Sequence, residues 1–196
     1  MQLIDSITYQ NLARAYAGEC QAQTRYKFIE YGARMQGYGA MAEVVDKIVF
    51  NEFNHARMFY TKIQDATDQT IENIDVCLGT PFREKWNLIE NLRLAALDEE
   101  DETKIYPQFA KTAFDEGFEE IGALFTNISK IEECHKKLFT DLYEQISGGT
   151  LYVKEKKVKW KCSHCGYEYT DNEAPEICPV CLAKQGAFLL QLKSSG

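Results

Sequence analysis

The chain lacks any hydrophobic run long enough to cross a membrane, and its first residues lack the basic start and apolar centre of a signal peptide. It is also poor in positive charge, with 22 lysines and arginines against 30 aspartates and glutamates and a formal net charge of −8. Its one basic run, at residues 154–161, is typical of a solvated linker. We therefore expect no membrane segment, no nucleic-acid partner and a cytoplasmic location.

Proline is scarce before residue 147, where only Pro81 and Pro107 occur in a sequence rich in alanine, glutamate, lysine and leucine. The apolar spacing in this part predicts four amphipathic helices, near residues 6–36, 38–65, 82–116 and 118–146. Residues 66–80 are too many for a tight turn and predict a crossover between two hairpins. The pattern breaks at Gly148 and Gly149, which places a boundary between residues 147 and 150.

Histidine is rarer still, with three in the chain, and two of them belong to an internal repeat. Five residues recur 80 positions later in one register, which predicts a duplicated helical hairpin. They are Glu19, Tyr26, Gly37, Glu52 and His55, which recur as Glu99, Tyr106, Gly117, Glu132 and His135. Gly37 and Gly117 are expected to end the first and third helices.

The repeated glutamates and histidines stand at helix positions where apolar residues belong. A carboxylate in the core of a bundle is costly unless it is paired or binds a metal. One glutamate from each of two helices, with Glu-x-x-His from each of the other two, is the ligand set of di-iron and di-manganese bundles. Oxygen-rich ligation with one imidazole per metal favours iron or manganese over zinc. The candidate ligands are Glu19, Glu52, His55, Glu99, Glu132 and His135.

Seven cysteines in a chain expected in the reducing cytoplasm indicate thiols or metal ligands rather than disulfides. Four of them form two Cys-x-x-Cys motifs, which is a strong pattern for a tetrahedral metal site. These four are Cys162, Cys165, Cys178 and Cys181. Their spacing alone does not separate zinc from iron. The other three, Cys20, Cys77 and Cys134, are expected to be small buried apolar residues.

On these residues, the chain resembles the rubrerythrin family. The resemblance is carried by the segments GECQAQTRY, FNEFNHARMFY, YPQFAKTAFDEGFEEI, IEECHKKLF, WKCSHCGYEY and APEICPVC. It implies a mainly α fold, with a ferritin-like four-helix bundle and long crossover over residues 1–147. A small, β-rich, rubredoxin-like metal module would follow over residues 148–196. It also implies a di-iron centre in the bundle and one iron in the four-cysteine site.

The ligands on the third helix can be chosen in two ways. In the family, two carboxylates three residues apart precede a Tyr-Pro on this helix. Counting back from Tyr106 selects Asp98 and Asp101, whereas the internal repeat selects Glu99 and Glu102. We choose Glu99 and Glu102, which keeps the longer side chain and the 80-residue register. The other acids of the run are then expected on a solvated helix face.

One predicted ligand breaks the symmetry of the repeat, because the counterpart of Glu102 is Ala22. The resemblance implies that one iron exchanges His55, in the reduced state, for Glu102, in the oxidised state. Two tyrosines, Tyr26 and Tyr106, each follow a candidate ligand by seven residues. We expect them to donate hydrogen bonds to the site carboxylates, with simple packing as the alternative for Tyr26.

Three functions are compatible with these sites. The first is reduction of hydrogen peroxide to water at the di-iron centre, with electrons supplied through the Fe(Cys)4 site, as oxidative-stress defence in an anaerobe or microaerophile. For this function the resemblance implies rubredoxin or another reductase as electron donor. It also implies a homodimer in which one subunit's cysteine module lies near the other's bundle. The second is a ferritin-like ferroxidase, which needs no cysteine module, and the third is an electron carrier in which the bundle is a scaffold.

Overall fold

The computed structural model describes residues 1–79 and 87–188. Its four long helices are α1 (Ile7–Met35), α2 (Gly39–Gln64), α3 (Leu88–Asp115) and α4 (Glu119–Ser147). Two strands follow, β1 (Val153–Lys161) and β2 (Glu168–Glu173), together with short 3-10 turns at Leu3–Asp5 and Gln185–Ala187. The predicted crossover contains no helix or strand between residues 66 and 79. Its last residue, 80, and the predicted start of the third helix at residue 82 lie outside the described residues.

Glycines end the first and third helices in the same way. Gly37 and Gly117 have φ angles of +85° and +87°, a region that glycine enters without steric cost. The residue after each glycine donates its backbone N–H to the carbonyl oxygen five residues earlier, at 2.9 and 2.8 Å. This pattern is the Schellman motif. The sequence-based prediction that these two glycines end their helices is therefore confirmed.

The helices form two antiparallel hairpins, with α1 packed on α2 and α3 packed on α4. Two layers of buried apolar side chains fill the bundle. One is built around Tyr26, Met41 and Phe139, and the other around Phe59 and Phe125. Within residues 1–79 and 87–188, no helix combines the length and hydropathy needed to cross a membrane.

The residues after α4 form the small β module that was predicted. Strands β1 and β2 pair antiparallel, with Trp160 opposite Tyr169. The core of the module is formed by Trp160, Cys162, Cys178 and Phe188, which are all fully buried. Two of the four metal-site cysteines therefore belong to the module's core.

The module approaches the turn between α1 and α2 closely through backbone, and the Tyr152 side chain packs against both the bundle core and the module core. A Cβ atom at Gly186 would overlap the carbonyl oxygen of Gly37, and a Cβ at Gly39 would lie 3.5 Å from the carbonyl oxygen of Gly186. Only glycine permits so close an approach at Gly186. The contact therefore anchors the module to one end of its own bundle.

Candidate metal centres

Six ionisable side chains meet at the centre of the bundle, and each is exposed by 3% or less. Their ligand atoms form two groups, within each of which all atoms lie within 4.8 Å of one another. The first group is Glu19, Glu52, His55 and Glu132, and the second is Glu52, Glu99, Glu132 and His135. Because Glu52 and Glu132 belong to both groups, their carboxylates are placed to bridge two metal ions.

Both imidazoles point their Nδ1 atoms into this cluster. His55 Nδ1 lies 2.9 Å from Glu132 Oε1 and 3.0 Å from Glu52 Oε2. His135 Nδ1 lies 2.8 Å from Glu132 Oε2 and 2.9 Å from Glu52 Oε1. The two rings are nearly parallel, with their centroids 5.9 Å apart. The cluster therefore consists of two matching half-sites, as the duplicated sequence requires.

Many ligand atoms in the cluster have no hydrogen-bond partner among the described residues. They include Glu19 Oε2, Glu52 Oε1, both oxygens of Glu99 and of Glu132, and His135 Nδ1. Several of these atoms are close together, but their geometry is not that of hydrogen bonds. They surround common points in the cluster instead of pairing with one another. Buried carboxylate oxygens without partners are costly, and a cation at each point of convergence removes that cost. An oxygen-rich set with one imidazole per metal fits a pair of iron ions.

Without a bound metal, protons on the two imidazoles offset part of the negative charge of the cluster carboxylates. Burial lowers the pKa of His55, but the carboxylates of Glu132, Glu19 and Glu52 outweigh it and raise the pKa to about 12. The same opposition at His135, with Glu132 and Glu52 as partners, raises its pKa to about 9. Burial raises the pKa of Glu19 to about 8. Since metal ligation by an imidazole requires loss of its proton, metal binding to this cluster must release protons.

Glu99 is the residue whose neutralisation should stabilise the metal-free protein. Burial, reinforced by the charges of Glu52 and Glu102, raises the pKa of Glu99 well above its usual value. A carboxyl with a higher pKa in the folded chain than in the unfolded chain destabilises the fold as the pH rises above about 4.3. In chelator-treated protein, Glu99→Gln should therefore raise the free energy of unfolding by about 1–3 kcal/mol at pH 8. Urea unfolding at pH 8 and pH 4 measures this difference.

The exposed Glu133→Gln variant is the matched control, because the Glu133 side chain is 42% exposed. We expect it to change the free energy of unfolding little at either pH. A stabilisation by Glu99→Gln that is equal at pH 4 and pH 8 would contradict the assignment of a raised pKa to Glu99.

The acidic run on α3 presents Glu99 and Glu102 to the cluster. Glu102 Oε2 is buried and has no hydrogen-bond partner among the described residues. Burial and the charges of the cluster carboxylates raise the pKa of Glu102 well above its usual value. Asp101, by contrast, has a side chain that is 66% exposed. The expectation that Asp98 lies on a solvated face is wrong, because its side chain is 13% exposed and pairs with Arg25 of α1.

These positions predict different effects for two alanine substitutions one residue apart. Because Glu102 faces the cluster, Glu102→Ala should perturb the optical spectrum of the oxidised centre and weaken one metal-binding step by about 10-fold. Asp101→Ala should leave both unchanged. Optical spectra and metal titrations of the two variants provide the measurement. Equal effects, or a larger effect of Asp101→Ala, would mean that the α3 ligands are in the other register.

Two tyrosines lie against the cluster from opposite hairpins. The hydroxyl of Tyr106 on α3 donates a hydrogen bond to Glu19 Oε1 on α1, at 2.5 Å. Tyr26 on α1 is fully buried, and its pKa is raised well above the usual value by burial and by the charge of Glu99 on α3. Each tyrosine therefore faces the glutamate of the other hairpin. The Tyr26 hydroxyl interacts with the Glu99 carboxyl without reaching the geometry of a full hydrogen bond in the described part of the chain.

The four cysteine sulfurs of the module form a second, separate cluster, within 4.8 Å of one another. Cys162 Sγ lies 3.7 Å from Cys181 Sγ, and Cys165 Sγ lies 3.7 Å from Cys178 Sγ. A tetrahedral site with metal–sulfur bonds of about 2.3 Å has edges of about 3.8 Å. Burial raises the pKa of Cys178, but the backbone N–H groups of Cys181 and Val180 outweigh it and lower the pKa to about 7. The cluster therefore has the dimensions of a four-thiolate metal site.

The expectation for the remaining cysteines is wrong for at least two of them. Cys77 and Cys134 are exposed, and Cys20 is only partly buried. Heptad spacing assigns apolar positions to the core, but neither exposed cysteine occupies such a position.

Sequence reasoning also missed one contact of the metal centre. The side-chain amide of Asn51 on α2 lies 3.1 Å from His135 Nε2 on α4, on the side of the ring away from the carboxylates. The two residues are 84 positions apart on different hairpins, so no helical spacing connects them. The repeat offered a signal, because the residue before Glu52 is polar whereas its counterpart, Ile131, is not.

Two family models match the chain. The model described as "Rubrerythrin" matches residues 10–87 and 90–170. The model described as "Rubrerythrin, rubredoxin-like domain" matches residues 160–188, which contain the four clustered cysteines.

Curated relatives and solved structures agree with these models. The chain is 37% identical to a rubrerythrin of Clostridium perfringens over 182 residues, which cover 92% of each chain. It is 34% identical to a rubrerythrin of Porphyromonas gingivalis, covering 93% of this chain and 89% of that one. The structure of fully reduced, all-ferrous nigerythrin matches 96% of this chain and 91% of that one, with 26% identity and a TM-score of 0.62. The bacterioferritin BfrA of Mycobacterium tuberculosis matches 74% of this chain and 90% of that one, at 18% identity and a TM-score of 0.64, and shares the fold.

Proposed function

The chain belongs to the rubrerythrin family, which combines a di-iron domain with a rubredoxin-like Fe(Cys)4 site, and from this premise we propose that it reduces hydrogen peroxide to water at the di-iron centre. The observation that carries the proposal is the convergence of buried, unpartnered ligand atoms in the bundle of a chain that also has a four-thiolate site. A storage protein needs the first site but has no use for the second.

Each residue of the cluster has a defined part in this proposal. Glu19 and His55 would hold one iron, Glu99 and His135 would hold the other, and Glu52 and Glu132 would bridge them. Glu102 is then an additional carboxylate ligand for the half-site of His55. When bound, two ferrous ions supply two electrons and Lewis acidity for cleavage of the oxygen–oxygen bond.

The surrounding side chains keep this chemistry enclosed. Tyr106 donates its proton toward Glu19 Oε1 and holds that carboxylate in place. The apolar layers around Phe59 and Phe125 on one side, and around Tyr26 and Phe139 on the other, exclude bulk water from the carboxylates. An enclosed site strengthens each electrostatic contact within it.

The location of the cysteine module supports a homodimer as the working unit. The module meets its own bundle at Gly37 and Gly39, and Gly39 lies thirteen residues before Glu52 on α2. Thirteen helical residues span about 20 Å. Electron tunnelling slows exponentially with distance, so a module of a second chain, placed beside this bundle, offers a shorter path. We propose rubredoxin or another reductase as the external electron donor to the four-cysteine site.

The proposal extends to organisation and location. Residues 1–147 would form the di-iron bundle and residues 148–196 the Fe(Cys)4 domain, in keeping with the end of α4 at Ser147 and the start of β1 at Val153. We place the protein in the cytoplasm, where exposed thiols remain reduced, without a nucleic-acid or membrane partner.

Stopped-flow mixing of the fully reduced protein tests the proposed reaction. We expect hydrogen peroxide to oxidise the bundle irons much faster than dissolved oxygen does, with no accumulation of iron beyond the bound ions. Faster oxidation by oxygen, or net iron uptake, would instead support a ferroxidase. The Glu133→Gln variant, which changes an exposed carboxylate, should behave as the wild type in the same assay.

A further inference from the structure

The two imidazoles of the bundle site differ in the groups that surround Nε2, the ring nitrogen that points away from the carboxylates. Nε2 of His135 is 3.1 Å from the amide of Asn51, which reaches across from α2 to α4. In the described part of the chain, the polar contacts of His55 all run through Nδ1. The residue 80 positions after Asn51 is Ile131, whose side chain has no hydrogen-bonding group. The pseudosymmetric site is therefore asymmetric just outside its ligands.

The side-chain amide of Asn51 is suited to hydrogen bonding at the Nε2 edge of the His135 ring. An imidazole that binds a metal through Nδ1 carries its proton on Nε2 and needs an acceptor there. The carboxamide of asparagine provides an oxygen acceptor and, after a half-turn, an N–H donor. Asn51 can therefore accept the Nε2 proton of His135 through its side-chain oxygen when Nδ1 binds a metal, whereas an apolar side chain such as that of Ile131 cannot.

A second asymmetry affects the other half-site. Glu102 is an extra carboxylate that interacts electrostatically with His55 and Glu19, and its repeat counterpart is Ala22. The half-site of His55, whose Nε2 lacks a partner such as Asn51 among the described residues, therefore has Glu102 as an additional candidate ligand. The half-site of His135, which Asn51 contacts, has only the candidate ligands that belong to the 80-residue repeat.

We propose that Asn51 is a positioning residue that fixes the ring of His135 and makes its half-site the rigid member of the pair. Ile131, which stands at the matching position of the repeat, cannot give His55 the same support. This inference rests on the proposed di-metal centre, but not on the substrate that the centre reduces.

Metal titration of the full chain provides the first test. Cobalt(II) serves as the probe, since its absorption distinguishes thiolate ligation in the module from carboxylate and imidazole ligation in the bundle. Asn51→Ala should weaken one of the two bundle steps by about 10–100-fold and leave the other unchanged. Asn51→Asp, which keeps an acceptor for Nε2–H, should retain most of the lost affinity. Ile131→Ala, at the matching position of the repeat, should change neither step.

Nitrogen-15 NMR of histidine-labelled, zinc-loaded protein provides the second test, and it does not depend on activity. In the wild type, the Nε2 proton of His135 should exchange with solvent more slowly than that of His55. Asn51→Ala should remove this difference. Ile131→Asn should slow exchange at His55, which keeps the test decisive even if Asn51→Ala folds poorly.

Three outcomes would overturn the inference. They are unchanged bundle affinities in Asn51→Ala, an equal loss in Ile131→Ala, or no recovery in Asn51→Asp. Failure of the proposed function would look different, because the wild type would then show no rapid reaction with peroxide while the metal and NMR differences remained.

Discussion

Glu132→Ala is expected to remove both bundle irons while the iron of the four-cysteine site stays bound. Glu132 contributes a carboxylate oxygen to each of the two ligand groups, and its two oxygens lie 2.9 and 2.8 Å from the two imidazoles. A substitution at Glu19 or Glu99 removes a ligand from one half-site, whereas this one removes a ligand from both. Iron content should therefore fall from about three ions per chain to about one.

If the proposed peroxide reduction takes place at this centre, its turnover should fall by at least about 100-fold, because even the loss of a contact that only supports a metal ligand commonly costs about 10–100-fold. Iron analysis and electron paramagnetic resonance provide the measurement, because a mononuclear ferric signal should persist without the coupled pair. Glu133→Gln, which alters the neighbouring exposed carboxylate, should keep all three irons.

The same variant separates an enzyme from an electron carrier. If the bundle were only a scaffold, Glu132→Ala would leave electron flow from the donor to an artificial acceptor unchanged. That electron flow would then account for the protein's activity. Retention of both bundle irons in Glu132→Ala would contradict the bridging position of this carboxylate.

The convergence of the bundle residues could be predicted from the sequence because the information is local and repeated. Each Glu-x-x-His pair lies on one helix, and the 80-residue period links the two pairs without any knowledge of packing. The helix ends at Gly37 and Gly117 are equally local, since the left-handed conformation there depends on the residue itself.

Features that depend on packing between elements could not be obtained in this way. The pairing of Asp98 with Arg25 joins α3 to α1 across 73 positions, and the contact of Asn51 with His135 joins the two hairpins. Gly186 gives no sign in the sequence that it meets the carbonyl of Gly37. These contacts require the mutual placement of the helices and the module, which neither spacing nor propensity encodes.

The anchoring of the module to its own bundle raises the question of which bundle it serves. The contact at Gly186 lies about 20 Å along α2 from the bundle carboxylates, and the proposed homodimer would offer the module a second bundle. A symmetric dimer places two modules and two bundles together, so that each module can reach the other chain's site.

Mixed dimers of two inactive variants should therefore recover activity. Glu132→Ala removes the bundle site and Cys178→Ser removes a buried ligand of the module site. In a dimer of one chain of each kind, purified through two different tags, the intact module and the intact bundle lie on different chains. If electrons pass between chains, one of the two sites works, and peroxide turnover should be about half that of the wild type.

The matched control carries both substitutions on one chain, paired with a wild-type chain. Transfer between chains predicts almost no turnover here, because the only intact bundle faces a disabled module. Transfer within a chain predicts the opposite pair of results, with about half activity in the control and almost none in the first mixed dimer. If the differently tagged chains fail to form dimers, the homodimer itself is contradicted.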